Sequence, residues 1–280
     1  MSPDIRLMRP ADIPAGMRLK DIAGWNQTRD DWARFLRFNP EGCFVAERDG
    51  RVAGTVATII YEGRLAWIGM VLVDAEFRGQ GIGAALLHHA VAYLDAQPIP
   101  CIKLDATLQG KPLYERFGFK VEYGIDRCVL RRTCRGGSSS SPPNPDLGAV
   151  LPIDREVFGA DRGEVLRSVA AAAPELVVLA RRAGSLEGYA LGRRGSLADH
   201  LGPWIARDEQ TARALLDHFL ERSHRETIFV DVLRDNRWAR TLVNEKGFEF
   251  SRPLTRMYRG ENRHSGQPKL VCAILGPEFG

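Results

Sequence analysis

Hydrophobic and polar positions in residues 43–132 follow two periods, which predicts a mixture of strands and helices. Nearly continuous apolar runs such as RVAGTVATIIYEG predict strands, and the pair Asp49-Gly50 predicts a hairpin turn. Apolar residues at helical spacing in GAALLHHAVAYLDA predict a helix. The predicted elements are, in order, a hairpin at 43–63, a strand at 64–74, a helix at 83–96, a strand at 100–107, a short helix at 110–118 and a strand with a return at 118–132. This alternation predicts an α/β fold, of the α+β kind with a mixed sheet.

A segment without hydrophobic period divides the chain. TCRGGSSSSPPNPDLG, residues 133–148, is dense in Gly, Ser, Pro and Asn, which is typical of a linker. It separates residues 1–132 from residues 149–280, so we predict two domains of similar length.

The two halves resemble each other. AERDGRVAGTV at 46–56 is similar to ARRAGSLEGYA at 180–190, with Gly54 matching Gly188. Leu86 matches Leu215 within a shared Ala-Leu-Leu, and YERFGF is similar to VNEKGF further along. The matches keep their order along the chain, which indicates a tandem duplication.

Composition narrows the class of protein. Hydrophobic residues make up 44% of the chain and charged residues 26%, values typical of a globular protein, and we expect no membrane segment and no signal peptide. The net charge of +4 is spread along the sequence, which does not favour a nucleic-acid surface. The five cysteines are scattered without a Cys-x-x-Cys pair. We therefore expect no disulfide framework, no metal site and a cytoplasmic location.

The stretch RGQGIGAAL at residues 78–86 is the strongest chemical signal, because its glycines open a predicted helix. Backbone N–H groups at a helix N-terminus bind anions, and glycines let the anion approach closely. A dinucleotide is one candidate, since the stretch satisfies G-x-G-x-x-G/A and Asp105 ends the next strand. That motif places its first glycine directly after a strand, whereas residues 74–78 intervene here. Coenzyme A, with a pyrophosphate and an amide-bearing arm, is the other candidate and also explains Arg78.

The residues VLVDAEFRGQGIGAAL followed by LYERFGF resemble the GNAT superfamily of N-acetyltransferases. The resemblance covers most of residues 1–132, and it implies acetyl transfer from acetyl-CoA, a cosubstrate, to a primary amine by direct attack. It implies a coenzyme site formed by Val71, Leu72, Val73, Arg78, Gly79, Gln80, Gly81, Ile82, Gly83, Ala84 and Thr107. Thr107 stands where the family carries an asparagine, which is a departure from its pattern.

The second half resembles the same family but has no glycine loop at the expected position. Residues 207–213, where the glycine loop is expected, contain no glycine and include Asp208 and Glu209, which would repel a pyrophosphate. Val243 stands in the place of Tyr114. We therefore expect a degenerate GNAT-like domain that binds no coenzyme and shapes the acceptor site. Its motifs GYALGR and HLGPWIA resemble the tandem GNAT proteins of the YitH-like group.

The resemblance also implies catalytic groups. Tyr114 occupies the position of the family's general acid, which would protonate the departing thiolate. A backbone N–H near Leu72 is expected to stabilise the oxyanion. The identity of the base that deprotonates the amine stays open. Asp105 is the first candidate, Glu62 is weaker, and a water chain to an exposed carboxylate would also serve.

Candidates for the acceptor pocket come from both halves. Trp25 and Asn26 open a predicted loop, and Trp204 belongs either to the cleft between the halves or to its own domain's core. Trp32 and Phe35, three residues apart, are expected in the core. We expect a small-molecule amine as the partner, and a monomer or a homodimer. Two other classes stay open, a non-catalytic acyl-CoA-binding sensor and a nicotinamide-dependent oxidoreductase.

Overall fold

The computed structural model describes residues 3–133 and 147–280. Most of the predicted linker at 133–148, with Cys134, lies outside the described residues. The other four cysteines are free and buried. Among the helices of the two described ranges, none has both the length and the apolar composition that a membrane crossing requires.

The described residues of the first half form six strands and four α-helices. The strands are β1 (Asp4–Leu7), β2 (Phe44–Arg48), β3 (Arg51–Tyr61), β4 (Leu65–Val73), β5 (Cys101–Ala106) and β6 (Lys120–Arg131). The helices are α1 (Ile13–Ile22), α2 (Arg29–Phe38), α3 (Ile82–Asp95) and α4 (Lys111–Arg116). The hairpin predicted at Asp49-Gly50 is confirmed, since both residues have positive φ between β2 and β3.

The described residues of the second half repeat this order from α1 onward, without a counterpart of β1, and add one strand at the end. The helices are α5 (Val150–Phe158), α6 (Gly163–Ala172), α7 (Glu209–Arg222) and α8 (Arg237–Glu245). The strands are β7 (Val178–Arg182), β8 (Ser185–Arg194), β9 (Asp199–Ala206), β10 (Thr227–Leu233), β11 (Glu249–Gly260) and β12 (Val271–Ala273).

The twelve strands of the described residues form one mixed sheet. Their order is β1-β2-β3-β4-β5-β11-β6-β10-β12-β9-β8-β7. At the centre, β11 lies between β5 and β6, and β6 lies between β11 and β10. Each half therefore completes its part of the sheet with a strand from the other half.

The prediction that residues 118–132 form a strand and then turn back is wrong. β6 runs without a turn and pairs antiparallel with β11 on one side and with β10 on the other. Its partners come from the second half. A hydrophobic period alone does not distinguish a hairpin from a long strand that pairs with a distant segment.

The described residues form four hydrophobic clusters, and the three largest stabilise this arrangement. One packs α3 against its sheet through Leu86 and Leu87, and another packs α7 through Leu215. A third cluster contains residues of both halves and includes Trp32 and Phe35, which are fully buried as predicted. The halves thus share a core in addition to the sheet.

Two glycines confirm the repeat. A Cβ added to Gly54 of β3 would come within 2.9 Å of Leu86 of α3. A Cβ added to Gly188 of β8 would come within 3.0 Å of Leu215 of α7. The sequence matched Gly54 with Gly188 and Leu86 with Leu215, and in both halves the glycine lets the helix approach the strand closely.

Candidate active site

A bulge in β4 shapes the middle of the first half. The register between β3 and β4 shifts between Thr55 and Ala57, so that Met70 and Val71 together face one residue of β3. Met70 has a φ of 55°, and the Thr55 hydroxyl donates to its carbonyl at 2.8 Å. A non-glycine residue held in this region marks a strained bulge that re-aims neighbouring backbone groups.

Beside the bulge, β4 and β5 separate. Their parallel pairing is confined to Ala66 with Ile102 and Trp67 with Lys103, and a cleft of about 830 Å³ opens beyond it. Both halves line this cleft. Its lining includes Trp25, Gln27, residues 68–73, Arg78, Gly79, residues 81–84, Asp105, Thr107, Tyr114 and Arg127, and from the second half residues 252–254, Pro277 and Glu278.

The glycine loop forms one wall of the cleft at the N-terminus of α3. Gly79 and Gly81 have φ of 78° and 81°, and an added Cβ at either would meet no atom within 4 Å. None of the described side chains caps this 14-residue helix, so its first N–H groups are open to an anion. Of the predicted coenzyme residues, Gln80 alone lies outside the cleft lining formed by the described residues, and it donates to the Glu76 carbonyl at 3.2 Å.

Tyr114 and Thr107 lie at the end of the cleft near α4. The Tyr114 side chain is largely buried, and its hydroxyl forms no hydrogen bond within residues 3–133 and 147–280. Burial raises the pKa of the phenol, so the hydroxyl stays protonated at neutral pH. The Thr107 hydroxyl accepts from the Gly110 N–H at 3.1 Å and fixes the turn before the helix.

Asp105, the predicted base, is held by a guanidinium. Nε and Nη2 of Arg256 donate to its two carboxylate oxygens at 2.9 and 2.8 Å. The Asp105 side chain is fully buried, and burial raises its pKa although Arg256 opposes the shift. Arg256 stacks on Trp67. Asp105 therefore lines the cleft with both oxygens already engaged.

The structure brings a second carboxylate, Glu278, into the cleft. A Cβ added to Gly69 of β4 would lie 2.9 Å from the Glu278 carbonyl oxygen, so the backbone of Glu278 packs directly on the bulged strand. Gln27 Nε2 donates to one carboxylate oxygen at 3.0 Å, and Arg193 pairs with the other. Burial raises the pKa of Glu278. Sequence reasoning missed this residue, because GPEFG carries no motif and the contact is with the other half.

Of the predicted acceptor residues, Trp25 alone belongs to the lining that the described residues form. Asn26 is buried, and its side chain bonds backbone atoms of the second half near Ala198. Trp204 is fully buried in the core of the second half, because β9 is covered on both faces. Glu62 pairs with Arg155 at the surface. These predictions are therefore corrected, because Asn26, Trp204 and Glu62 lie outside the cleft lining that the described residues form.

The equivalent slot in the second half is filled by the protein. β9 and β10 pair in parallel over three residues and then separate, and β12 lies between them. The Asp208 carboxylate caps α7 by accepting from the Thr211 N–H at 2.7 Å. Asn236, which the repeat aligns with Thr107, donates to the Val271 carbonyl of β12 at 3.0 Å. In the second half, the Asp208 carboxylate thus occupies the helix N-terminus and β12 occupies the gap between the parallel strands. The corresponding helix N-terminus and gap are open in the first half.

Comparison with known proteins finds the same family in both halves of the chain. Residues 17–119 match the acetyltransferase (GNAT) family, and residues 150–271 match an acetyltransferase (GNAT) domain. A chain with two such domains is a tandem acyltransferase. It belongs to the GNAT family of acetyltransferases.

The relatives cover different parts of the chain. The uncharacterized N-acetyltransferase YitH of Bacillus subtilis is 27% identical over 71% of this chain and 72% of its own. The mycothiol acetyltransferase of Acidimicrobium ferrooxidans is 32% identical over 46% of this chain, and the match spans about half, 47%, of that relative.

Two solved structures show the same fold over most of the chain. A putative acetyltransferase from Pyrococcus horikoshii aligns over 99% of this chain and 96% of its own, with a TM-score of 0.80 and 24% identity. A tandem GNAT protein from the clavulanic acid biosynthesis pathway aligns over 92% of this chain and 98% of its own, with a TM-score of 0.63 and 16% identity.

Proposed function

We propose that the protein is an N-acetyltransferase that moves an acetyl group from acetyl-CoA to a primary amine by direct attack. The observation that carries this proposal is the open glycine loop beside the divergent strands β4 and β5. The loop N–H groups and Arg78 fit a pyrophosphate. The free edge of β4 at 71–73 fits an extended arm with amide groups. Acetyl-CoA supplies the activated acetyl thioester.

We propose that the coenzyme binds to the first half alone. The division into residues 1–132, a linker at 133–148 and residues 149–280 then has a functional meaning. The first domain holds acetyl-CoA, and the second shapes the acceptor side through residues 252–254 and Glu278. A small-molecule amine in the cytoplasm is the acceptor that we propose, and the free cysteines of the described residues fit a reducing compartment.

The two proton transfers are assigned to two side chains, one that acts as the base and one that acts as the acid. An alkyl amine of pKa near 10.4 must lose a proton, which at pH 7 costs about 4–5 kcal/mol. We assign its removal to Glu278, because this carboxylate has a raised pKa and packs on the bulge. Asp105 is the second candidate. Its pKa is also raised by burial, but one guanidinium binds both of its oxygens, whereas one oxygen of Glu278 accepts, among the described residues, only the amide N–H of Gln27. Tyr114 donates a proton to the departing thiolate, and a backbone N–H of residues 70–72 stabilises the oxyanion.

Titration calorimetry with acetyl-CoA and with NADH tests the proposal. One acetyl-CoA site per chain and no NADH site is the expected result, followed by thiol release with members of an amine panel. Tyr114→Phe is expected to lower kcat by about 100-fold with unchanged acetyl-CoA affinity. Binding of acetyl-CoA without turnover of any amine would favour a non-catalytic acyl-CoA-binding sensor, and binding of NADH instead would favour an oxidoreductase.

A further inference from the structure

Among the described residues, Arg252 forms no ion pair, although it lies in a cluster where other arginines are paired. Arg127 donates two hydrogen bonds to Asp231 at 2.7 and 2.6 Å, and Arg256 is bound by Asp105. Arg193 pairs with the carboxylate of Glu278. Arg252 forms no ion pair within residues 3–133 and 147–280, and its Nε is buried without a hydrogen bond.

The backbone places Arg252 in the cleft. The register of β11 against β6 shifts between Phe250 and Arg252, which sets Arg252 opposite Arg127. Pairing between β11 and β5 begins only at Thr255, so Arg252 stands beyond the end of β5, where the cleft opens. It lines the same cavity as Glu278.

An unpaired cation at this place is costly. Burial and the neighbouring Arg127 lower the pKa of Arg252, and the carboxylates of Asp231 and Glu278, which do not hydrogen-bond to it, oppose this shift only in part. A partly buried guanidinium without a hydrogen-bonding anion loses hydration that nothing in the described protein replaces. An arginine fork matches a carboxylate in two parallel hydrogen bonds, so an anionic ligand would remove this cost.

We propose that Arg252 binds a carboxylate of the acceptor, and hence that the acceptor is an amine that also carries a carboxylate, as an amino acid does. The inference rests on the proposed function, because it concerns the acceptor side of the same cleft. The glycine loop and Arg78 lie at the start of α3, while Arg252 lies on β11 in the same cavity as the proposed base. A carboxylate on Arg252 therefore places the amine of a short acceptor within the cleft that Glu278 lines.

Matched ligand pairs test this inference. The probes are the standard L-amino acids as N-acetyl derivatives, each paired with its N-acetyl carboxamide, titrated calorimetrically into the protein loaded with CoA. For the best-binding pairs we expect the carboxylate to bind about 30-fold more tightly than the amide. The free amino acids and their amides should show the same ratio in kcat/KM, measured by thiol release.

Three variants test whether Arg252 causes the preference for a carboxylate over an amide. Arg252→Gln should bind both members of a pair equally, and Arg252→Lys should keep part of the preference because it keeps the charge but loses the fork. Arg259→Gln is the matched control on β11, since Arg259 pairs with Asp95 at the surface, and it should behave as the wild type. Arg252→Gln should fold with an equal or higher melting temperature, because it removes an unpaired cation.

The outcomes separate this inference from the proposed function. No carboxylate preference in the wild type, or a preference unchanged in Arg252→Gln, overturns the inference. Acetyl-CoA affinity, measured in parallel, should not change in Arg252→Gln, and a loss there would assign Arg252 to the coenzyme instead. If acetyl-CoA does not bind the wild type, the proposed function fails, and the carboxylate pairs titrated into the free protein still decide the role of Arg252.

Discussion

Helices α3 and α7 occupy equivalent places in the two halves, but their N-termini differ. Eight residues, 74–81, connect β4 to α3, and the loop exposes two glycines with positive φ. Two residues, Arg207 and Asp208, connect β9 to α7, and the Asp208 carboxylate caps the helix. One helix N-terminus is therefore open to an external anion, and the other is satisfied by its own side chain.

The same contrast holds where the parallel strands separate. β4 and β5 leave a cleft, whereas β12 fills the corresponding space between β9 and β10. The chain then continues from β12 to Glu278, which packs on β4. The fold thus creates a slot in each half, and the segment that closes one slot supplies a carboxylate to the other.

The largest effect should come from adding charge to the open loop. Gly81→Glu places a carboxylate beside the helix N-terminus where the pyrophosphate is proposed to bind, so acetyl-CoA affinity should fall by about 100-fold or more. Gly184→Glu is the matched control, because Gly184 also has positive φ and open space around it, in the second half. Calorimetry should show wild-type affinity for the control. Equal losses in the two variants would contradict the assignment of the coenzyme to the first half.

Removing the charge that the second half contributes should have the next largest effect. Glu278→Gln keeps the shape and the Gln27 contact, and we expect kcat to fall by about 100-fold with acetyl-CoA affinity unchanged. Because burial raises the pKa of Glu278 above its usual range, activity should rise with pH through that pKa in the wild type. The variant should lose this rising limb.

Asp105→Asn is the comparison that decides between the two carboxylates. Asp105 binds Arg256 with both oxygens, so its substitution should lower the melting temperature more than Glu278→Gln does, through an unpaired buried arginine. A normal pH profile in Glu278→Gln together with a lost limb in Asp105→Asn would reassign the base to Asp105.

Local patterns predicted the elements on either side of the glycine loop. The hairpin at Asp49-Gly50, the strand before the loop and the helix after it depend on residues close in sequence, and their periods and turn residues agree. The repeat also matched Gly54 with Gly188, and the structure gives the two glycines equivalent surroundings. Sequence reasoning is strongest where each contact lies within one hairpin or one strand-helix unit.

Contacts between the halves could not be predicted in this way. β6 pairs with β10 and β11, Asn26 bonds the second half, and Glu278 reaches β4. Each depends on which distant segment completes the sheet or fills a gap. Trp204 shows the same limit, because a strand covered on both faces and a strand beside a cleft present similar apolar residues.

A buried histidine of the second half should make the folding stability of the protein sensitive to acid. His200 of β9 is fully buried near Asp231 of β10, Arg127 of β6 and Arg193 of β8, and burial lowers its pKa to about 3. The unfolded chain binds this proton below about pH 6.5, so stability is present above that pH and is lost as pH falls toward 3. Between pH 6.5 and 5 the loss should be about 2 kcal/mol.

Denaturant unfolding at the two pH values measures this loss. His200→Phe should remove that part of the pH dependence, because the buried ring no longer titrates. His88→Phe, on the exposed side of α3, should keep it. An unchanged pH dependence in His200→Phe would show that other groups of the protein take up the protons.

The smallest effects on stability and on acetyl-CoA affinity are expected from two residues that the repeat aligns. Asn236 caps α8 by accepting from the Ala239 N–H at 3.0 Å and holds β12, so Asn236→Ala should cost about 1 kcal/mol of unfolding free energy. Thr107 holds one turn and faces the open cleft, so Thr107→Ala should cost less stability and weaken acetyl-CoA binding by about threefold. Acetyl-CoA affinity should not change in Asn236→Ala. If it falls there as much as in Thr107→Ala, β12 does not replace a ligand in the second half, and both slots contribute to coenzyme binding.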